Sequence, residues 1–206
     1  MAVIVLLFIG VGFLIGGLRS KPEADPIHDH TSASAAGAQP GVMPAGRPVA
    51  VSASSIPVAL RIPAMGVSSS LSQLGLNADK SPQVPTQYQE PGWYKLGPAP
   101  GMMGSAVILG HVDDKKGPAV FYKLATLKAG DKVDVSLANG AVAHFAVKSV
   151  ETFLKAKFPS DKVYASHGVK ALQLVTCGGV FDKATGHYLS NIVAFTTLVS
   201  TTPAGK

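Results

Sequence analysis

The chain has 206 residues, a formal net charge of +6 and one cysteine. A single cysteine excludes an intramolecular disulfide. The positive excess is mostly scattered lysine (Lys115, Lys116, Lys123, Lys128, Lys132, Lys148), with no basic run interleaved with aromatics, so a nucleic-acid-binding surface is excluded too. Such a charge suits a solvated surface or attraction to an anionic envelope.

Ala2 to Leu18 is an unbroken run of apolar residues and glycine. As a helix it would span roughly 25 Å, near the lower limit for crossing a bilayer. No Ala-x-Ala cleavage site follows, so an uncleaved anchor over residues 1–19 is expected rather than a signal peptide. Residues 20–55 are rich in Ala, Ser, Pro and Gly and lack apolar periodicity, which predicts a disordered linker with a reach of roughly 30 Å. His28 and His30 lie in this stretch without further ligands nearby, so they read as solvated and no metal or cofactor is expected.

The pattern changes at Ile56, and one domain over residues 56–203 is expected. Val58 to Ile62 alternates like a strand, and Leu71 to Leu76 reads as a short extended piece. Trp93 and Tyr94 read as aromatics capping a core. Ser105 to Val112 is an apolar strand that ends in Gly110-His111. Lys132 to Leu137 and Ala141 to Thr152 alternate about Asn139-Gly140, a hairpin whose turn suits type I′. Pro159 to Tyr164 reads as a short helix. Leu172 to Cys177 and Asn191 to Val199 are the last two predicted strands. About eight short strands with few helices argue for an all-β barrel or sandwich.

Cys177 ends its strand in the setting Thr176-Cys177-Gly178-Gly179. A lone thiol is either a buried apolar filler or a reactive group. The threonine before it, and two glycines that let the backbone turn and leave room at the sulfur, favour the reactive reading. A thiol nucleophile needs a base or cation near it, and His111, at the end of another apolar strand, is the best partner. Asp113, two residues on, either orients that imidazole or starts the next turn, and the turn is preferred. His144 reads as a sheet-face residue and His167 as a loop residue.

These segments resemble the sortases, the cysteine transpeptidases of Gram-positive surfaces, and most closely the class F group of actinobacteria. The resemblance rests on Arg61 to Val67, Gly92 to Tyr94, Ile108 to Asp113, Gly117 to Phe121, Leu174 to Gly179 and Phe181 to Tyr188. It implies a closed eight-stranded barrel. It also implies Cys177 as nucleophile, His111 as acid and base, and Thr176 and Gly178 beside the oxyanion or substrate. The implied partners are a Leu-Pro-x-Thr-Gly-like sorting signal and an amine acceptor. An extracellular domain on a single membrane helix follows from the same resemblance. Arg19 and Lys21 follow the apolar run, and the positive-inside rule would then place the domain in the cytoplasm. The expected resolution is a true start upstream of Met1 that carries basic residues.

One position departs from the family. Class F relatives carry a third catalytic side chain, an arginine, in a stretch like Thr-Gly-His-Tyr-Arg-Asp-Asn. Here Leu189 stands at the arginine position, and no arginine follows Arg61. Lys183 and His187 are the nearest cationic candidates. Weak, mainly hydrolytic turnover is therefore expected, and the alternative is a degenerate family member that binds without catalysis.

Overall fold

The computed structural model describes residues 51–205. The expected anchor and nearly all of the expected linker lie outside the described residues. The chain is already engaged before Ile56. Ala53–Ser55 forms a 3-10 turn, and Val51 and Ile56 pack against the core. Among the described residues no helix is long and apolar enough to cross a membrane.

Eleven strands and one short helix follow: β1 (Pro57–Ile62), β2 (Val67–Ser70), β3 (Ser72–Leu74), β4 (Gly92–Tyr94), β5 (Gly104–Leu109), β6 (Asp113–Asp114), β7 (Gly117–Pro118), β8 (Lys132–Leu137), β9 (Val142–Leu154), α1 (Ser160–Tyr164), β10 (Lys170–Asp182) and β11 (His187–Thr202). Nine of the strands form one sheet in the order β2-β1-β8-β9-β11-β10-β5-β4-β3, and β6 and β7 pair separately. The sheet is a nearly closed barrel of nine strands rather than a closed one of eight. Its two edge strands are consecutive in sequence and are joined only by Leu71, whose N–H turns away to the Val58 carbonyl at 3.0 Å. The edges thus meet through chain continuity, without a ladder between them.

Alternation sets the two faces. Leu60, Ile62, Val133, Val135, Phe145, Leu172, Leu174 and Ala194 fill the inside of the barrel. The intervening residues Val107, Leu109, Val175 and Val193 form a second cluster on the outer face, with Val163 of α1 over it. β5 is buried along its whole length because both faces are covered, which explains its unbroken apolar sequence. Trp93 is 2% exposed and donates from Nε1 to the Pro98 carbonyl at 3.2 Å, so it is a core residue with its polar edge satisfied.

Two local expectations change. The hairpin between β8 and β9 does not use a type I′ turn, because Asn139 has no positive φ. Only Gly140 does, at 83°. Gly140 N–H donates to the Leu137 carbonyl, and the Asn139 side chain accepts from the Ala141 N–H at 3.0 Å. This is a three-residue loop ending in a left-handed glycine, the other common hairpin closure. Nor does β10 end at Cys177. It runs on to Asp182 and pairs with a β11 that starts at His187. Gly178-Gly179 makes a bulge instead of a turn, with Gly179 at φ 76°. The real turn comes later, where Asp182 accepts from the Ala184 N–H and the Thr185 hydroxyl, each at 2.9 Å. Those bonds stabilise the carboxylate and hold its pKa below the usual range.

Candidate active site

The site is built on the parallel pairing of β5 with β10, which aligns residues 104–109 with 170–175 and ends at Val175 opposite Leu109. The Gly110 N–H continues it with a bond to the Val175 carbonyl at 3.1 Å. His111 and Cys177 each lie two residues past the last pair. The register carried forward therefore brings them to one rim of the barrel, although 66 residues separate them in sequence. The parallel pairing stops just before both residues, at the end of β5 and within β10, and this gives the juxtaposition.

Cys177 shares the outer face with Val175, since side chains alternate along a strand. Across the antiparallel pair its partner is Asn191. Leu189, two residues back on β11, falls on the same face and is 45% exposed. The apolar Leu189 side chain thus lies open on the face that carries the sulfur. Thr176 points the other way, into the barrel, where it is buried and its hydroxyl has no partner among the described residues. Gly178 also turns inward. A Cβ there would come within 2.4 Å of Ile192 Cδ1, so this glycine admits the Ile192 side chain. Thr176 and Gly178 can reach a ligand at Cys177 only through their backbone groups.

His111 is held from three sides. A Cβ at Gly110 would meet the buried Phe121 ring at 2.6 Å, so the glycine lets Phe121 seat against the strand end. Phe121 N–H then donates to the His111 carbonyl at 2.9 Å, and Ala119 N–H to the Val112 carbonyl at 3.0 Å. The Tyr88 ring stacks obliquely on the imidazole with centroids 4.6 Å apart. His111 Nε2 lies 2.8 Å from the Pro85 carbonyl oxygen. A carbonyl only accepts, so Nε2 carries a proton and Nδ1 is left as the nitrogen that can exchange one. Among the described residues no hydrogen bond joins His111 to Cys177. Such contacts commonly tighten only when substrate binds.

Asp113 contacts neither ring nitrogen. It belongs to the small β6–β7 hairpin, pairing with Pro118, as the turn reading expected. Its carboxylate also accepts a 2.5 Å bond from the Tyr188 hydroxyl. That bond, then burial and the Asp113 charge, push the phenol up to about 12, with smaller contributions from Tyr122 and Cys177. Tyr188 stands at the start of β11 and packs edge-on against Phe181 at 5.1 Å. A side-chain tie therefore runs from the loop after His111 to the hairpin after Cys177. Nothing local in the sequence signals this pair, which spans 75 positions.

The other histidines lie elsewhere. His144 bridges Asp134 and Thr202 at 2.8 Å each, and His167 contacts the Asp161 carbonyl. His187 is exposed at the head of β11, and Lys183 sits exposed in the turn before it. Among the described residues no group of histidine, cysteine and carboxylate side chains is placed to hold a metal ion.

Listeria monocytogenes sortase A superposes with a TM-score of 0.56 at 16% identity, covering 74% of this chain and 92% of that one. Sortase C1 of Streptococcus agalactiae gives 0.54 at 19% identity, covering 69% of this chain and 67% of that one. Sortase C-3 of Streptococcus pneumoniae gives 0.53 at 15% identity over 70% of this chain, which spans 63% of that protein's length. At these identities the likeness concerns the fold. No curated protein matches in sequence. The family model of the sortase domain matches residues 60–199. That match covers more than half of the chain and includes both His111 and Cys177, so the chain belongs to the sortase family.

Proposed function

We propose that the protein is a membrane-anchored cysteine transpeptidase of class F type, acting outside the cell on a Leu-Pro-x-Thr-Gly-like sorting signal. The observation that carries this reading is the convergence of Cys177 and His111, each two residues past the last pair of the parallel β5–β10 pairing. The Cys177 thiol gives its proton to His111 Nδ1, the sulfur attacks the threonine carbonyl carbon, and an S–C bond forms as the carbonyl π electrons move onto oxygen. The C–N bond to glycine then breaks, and the leaving amine takes a proton from the imidazole. In the second half an acceptor amine attacks the thioester, gives its proton to the same imidazole and expels the thiolate. The Pro85 carbonyl keeps one ring nitrogen protonated throughout and confines the exchange to the other. The apolar run at residues 2–18 supports the anchor, and motif order around Cys177 supports the class.

A second reading follows from Leu189. An exposed leucine on the sulfur's face supplies neither charge nor donor, which favours a family member that binds sorting signals without turning them over. Chromatography of a sorting-signal peptide incubated with the protein and an amine acceptor separates the two. Transpeptidation predicts an amide product joining the acyl fragment to the acceptor. Peptide that binds but is recovered intact would support the binding reading instead.

A further inference from the structure

Asn191 is the directly paired neighbour of Cys177 across β10 and β11. Paired residues project from the same face with Cβ atoms about 4.5–5.5 Å apart. The Asn191 side chain is 2% exposed, and its Nδ2 has no hydrogen-bond partner among the described residues. Buried amide donors are nearly always paired, because an unmade bond leaves the full desolvation cost uncompensated. A donor held dry and unpaired beside a nucleophile is the arrangement an oxyanion requires. Such a donor is stronger for being out of water.

The remaining side chains near the sulfur do not compete for this role: the Tyr188 hydroxyl, which Cys177 also influences, is committed to the Asp113 carboxylate. Leu189, next along the same face of β11, is apolar. Thr176 and Gly178 face the barrel interior. Lys183 and His187 are exposed at the hairpin end. On the transpeptidase reading, attack by the sulfur moves the carbonyl π electrons onto oxygen, and that oxygen forms beside Cys177. We propose that the Asn191 carboxamide donates from Nδ2 to this oxyanion and is the side-chain oxyanion donor of the site. The hydrogen bond strengthens as the S–C bond forms and relaxes when the C–N bond breaks. Being neutral, the donor works without a pH requirement of its own.

The test is single-turnover acylation of Cys177 in the full chain by a sorting-signal peptide, followed by intact mass, for the parent, Asn191→Leu and Asn191→Asp. Alkylation of Cys177 by iodoacetamide is measured in parallel, since that displacement forms no oxyanion. The expected result is acylation slowed about 10²–10³-fold in both variants, with alkylation unchanged in the uncharged variant Asn191→Leu. The thermal midpoint of Asn191→Leu should hold or rise, because an unpaired buried donor has been removed. Parent-rate acylation in both variants overturns the assignment, and so does an equal fall in acylation and alkylation, which marks a structural role. A parent that forms no adduct at all refutes the transpeptidase reading and this assignment with it. A parent that acylates beside variants that acylate equally well refutes the assignment alone.

Discussion

Leu189 stands where the class F resemblance leads one to expect an arginine. A guanidinium offers several donors in a fixed fork and stays charged at any working pH, whereas leucine offers neither donor nor charge. Its exposure on the Cys177 face means that an arginine could be accommodated there without entering the core. Leu189→Arg should therefore raise the rate of Cys177 acylation by roughly tenfold or more, since one added oxyanion donor is commonly worth that much. Stopped single-turnover assays on both forms check it, and equal rates would show that the role is already filled. At this scale the sequence was most informative about what is local. Cys177 and His111 stand out from their own neighbours, and Leu189 only against the class F pattern. Asn191 did not, because its position opposite the sulfur depends on a register between strands, and its unpaired amide depends on burial.

At the scale of elements, the ends of strands are where the reading needed correction. The glycines after Cys177 suggested a turn, yet the strand continues through a bulge to Asp182. Glycine at positive φ serves either purpose, and only the pairing partner decides which. The tie between Tyr188 and Asp113, and the cover that Pro85 and Tyr88 place over His111, are likewise long-range and leave no periodic signal. Gly110 shows how tightly these ends are packed. Gly110→Ala would drive a methyl group into the Phe121 ring at a distance that real Cβ atoms do not adopt. Overpacking of this kind costs about 1–3 kcal/mol. Urea denaturation should show that loss, and acylation should fall with it because Phe121 anchors the His111 backbone. A variant as stable and active as the parent would show that the ring shifts freely.

For the whole molecule, the strand-rich pattern and the two converging apolar runs were enough to anticipate an all-β barrel or sandwich with its site at one rim, and the sortase resemblance chose the barrel. The strand count and the manner of closure were not, because a three-residue edge strand such as β3 has too few positions to show alternation. The N-terminal limit of the folded unit also depends on tertiary contact, since Val51 packs on the core from within a stretch whose composition reads as linker. A chain beginning at Val51 should be soluble and melt cooperatively. Trimming further to Ile56 should lower stability by about 1 kcal/mol, for a valine only partly buried. Thermal melts of the two fragments test this, and identical midpoints would show that the Val51 contact contributes nothing.

The central claim is that Cys177 forms a covalent acyl intermediate with a sorting-signal peptide. Intact mass spectrometry of the protein quenched in acid during turnover measures it directly. The account predicts a mass increase equal to the peptide fragment ending in threonine, localised to Cys177, and its complete loss in Cys177→Ala with the fold retained. Cleavage that persists at the parent rate in Cys177→Ala, or a parent that cleaves the peptide without ever carrying the adduct, would contradict it.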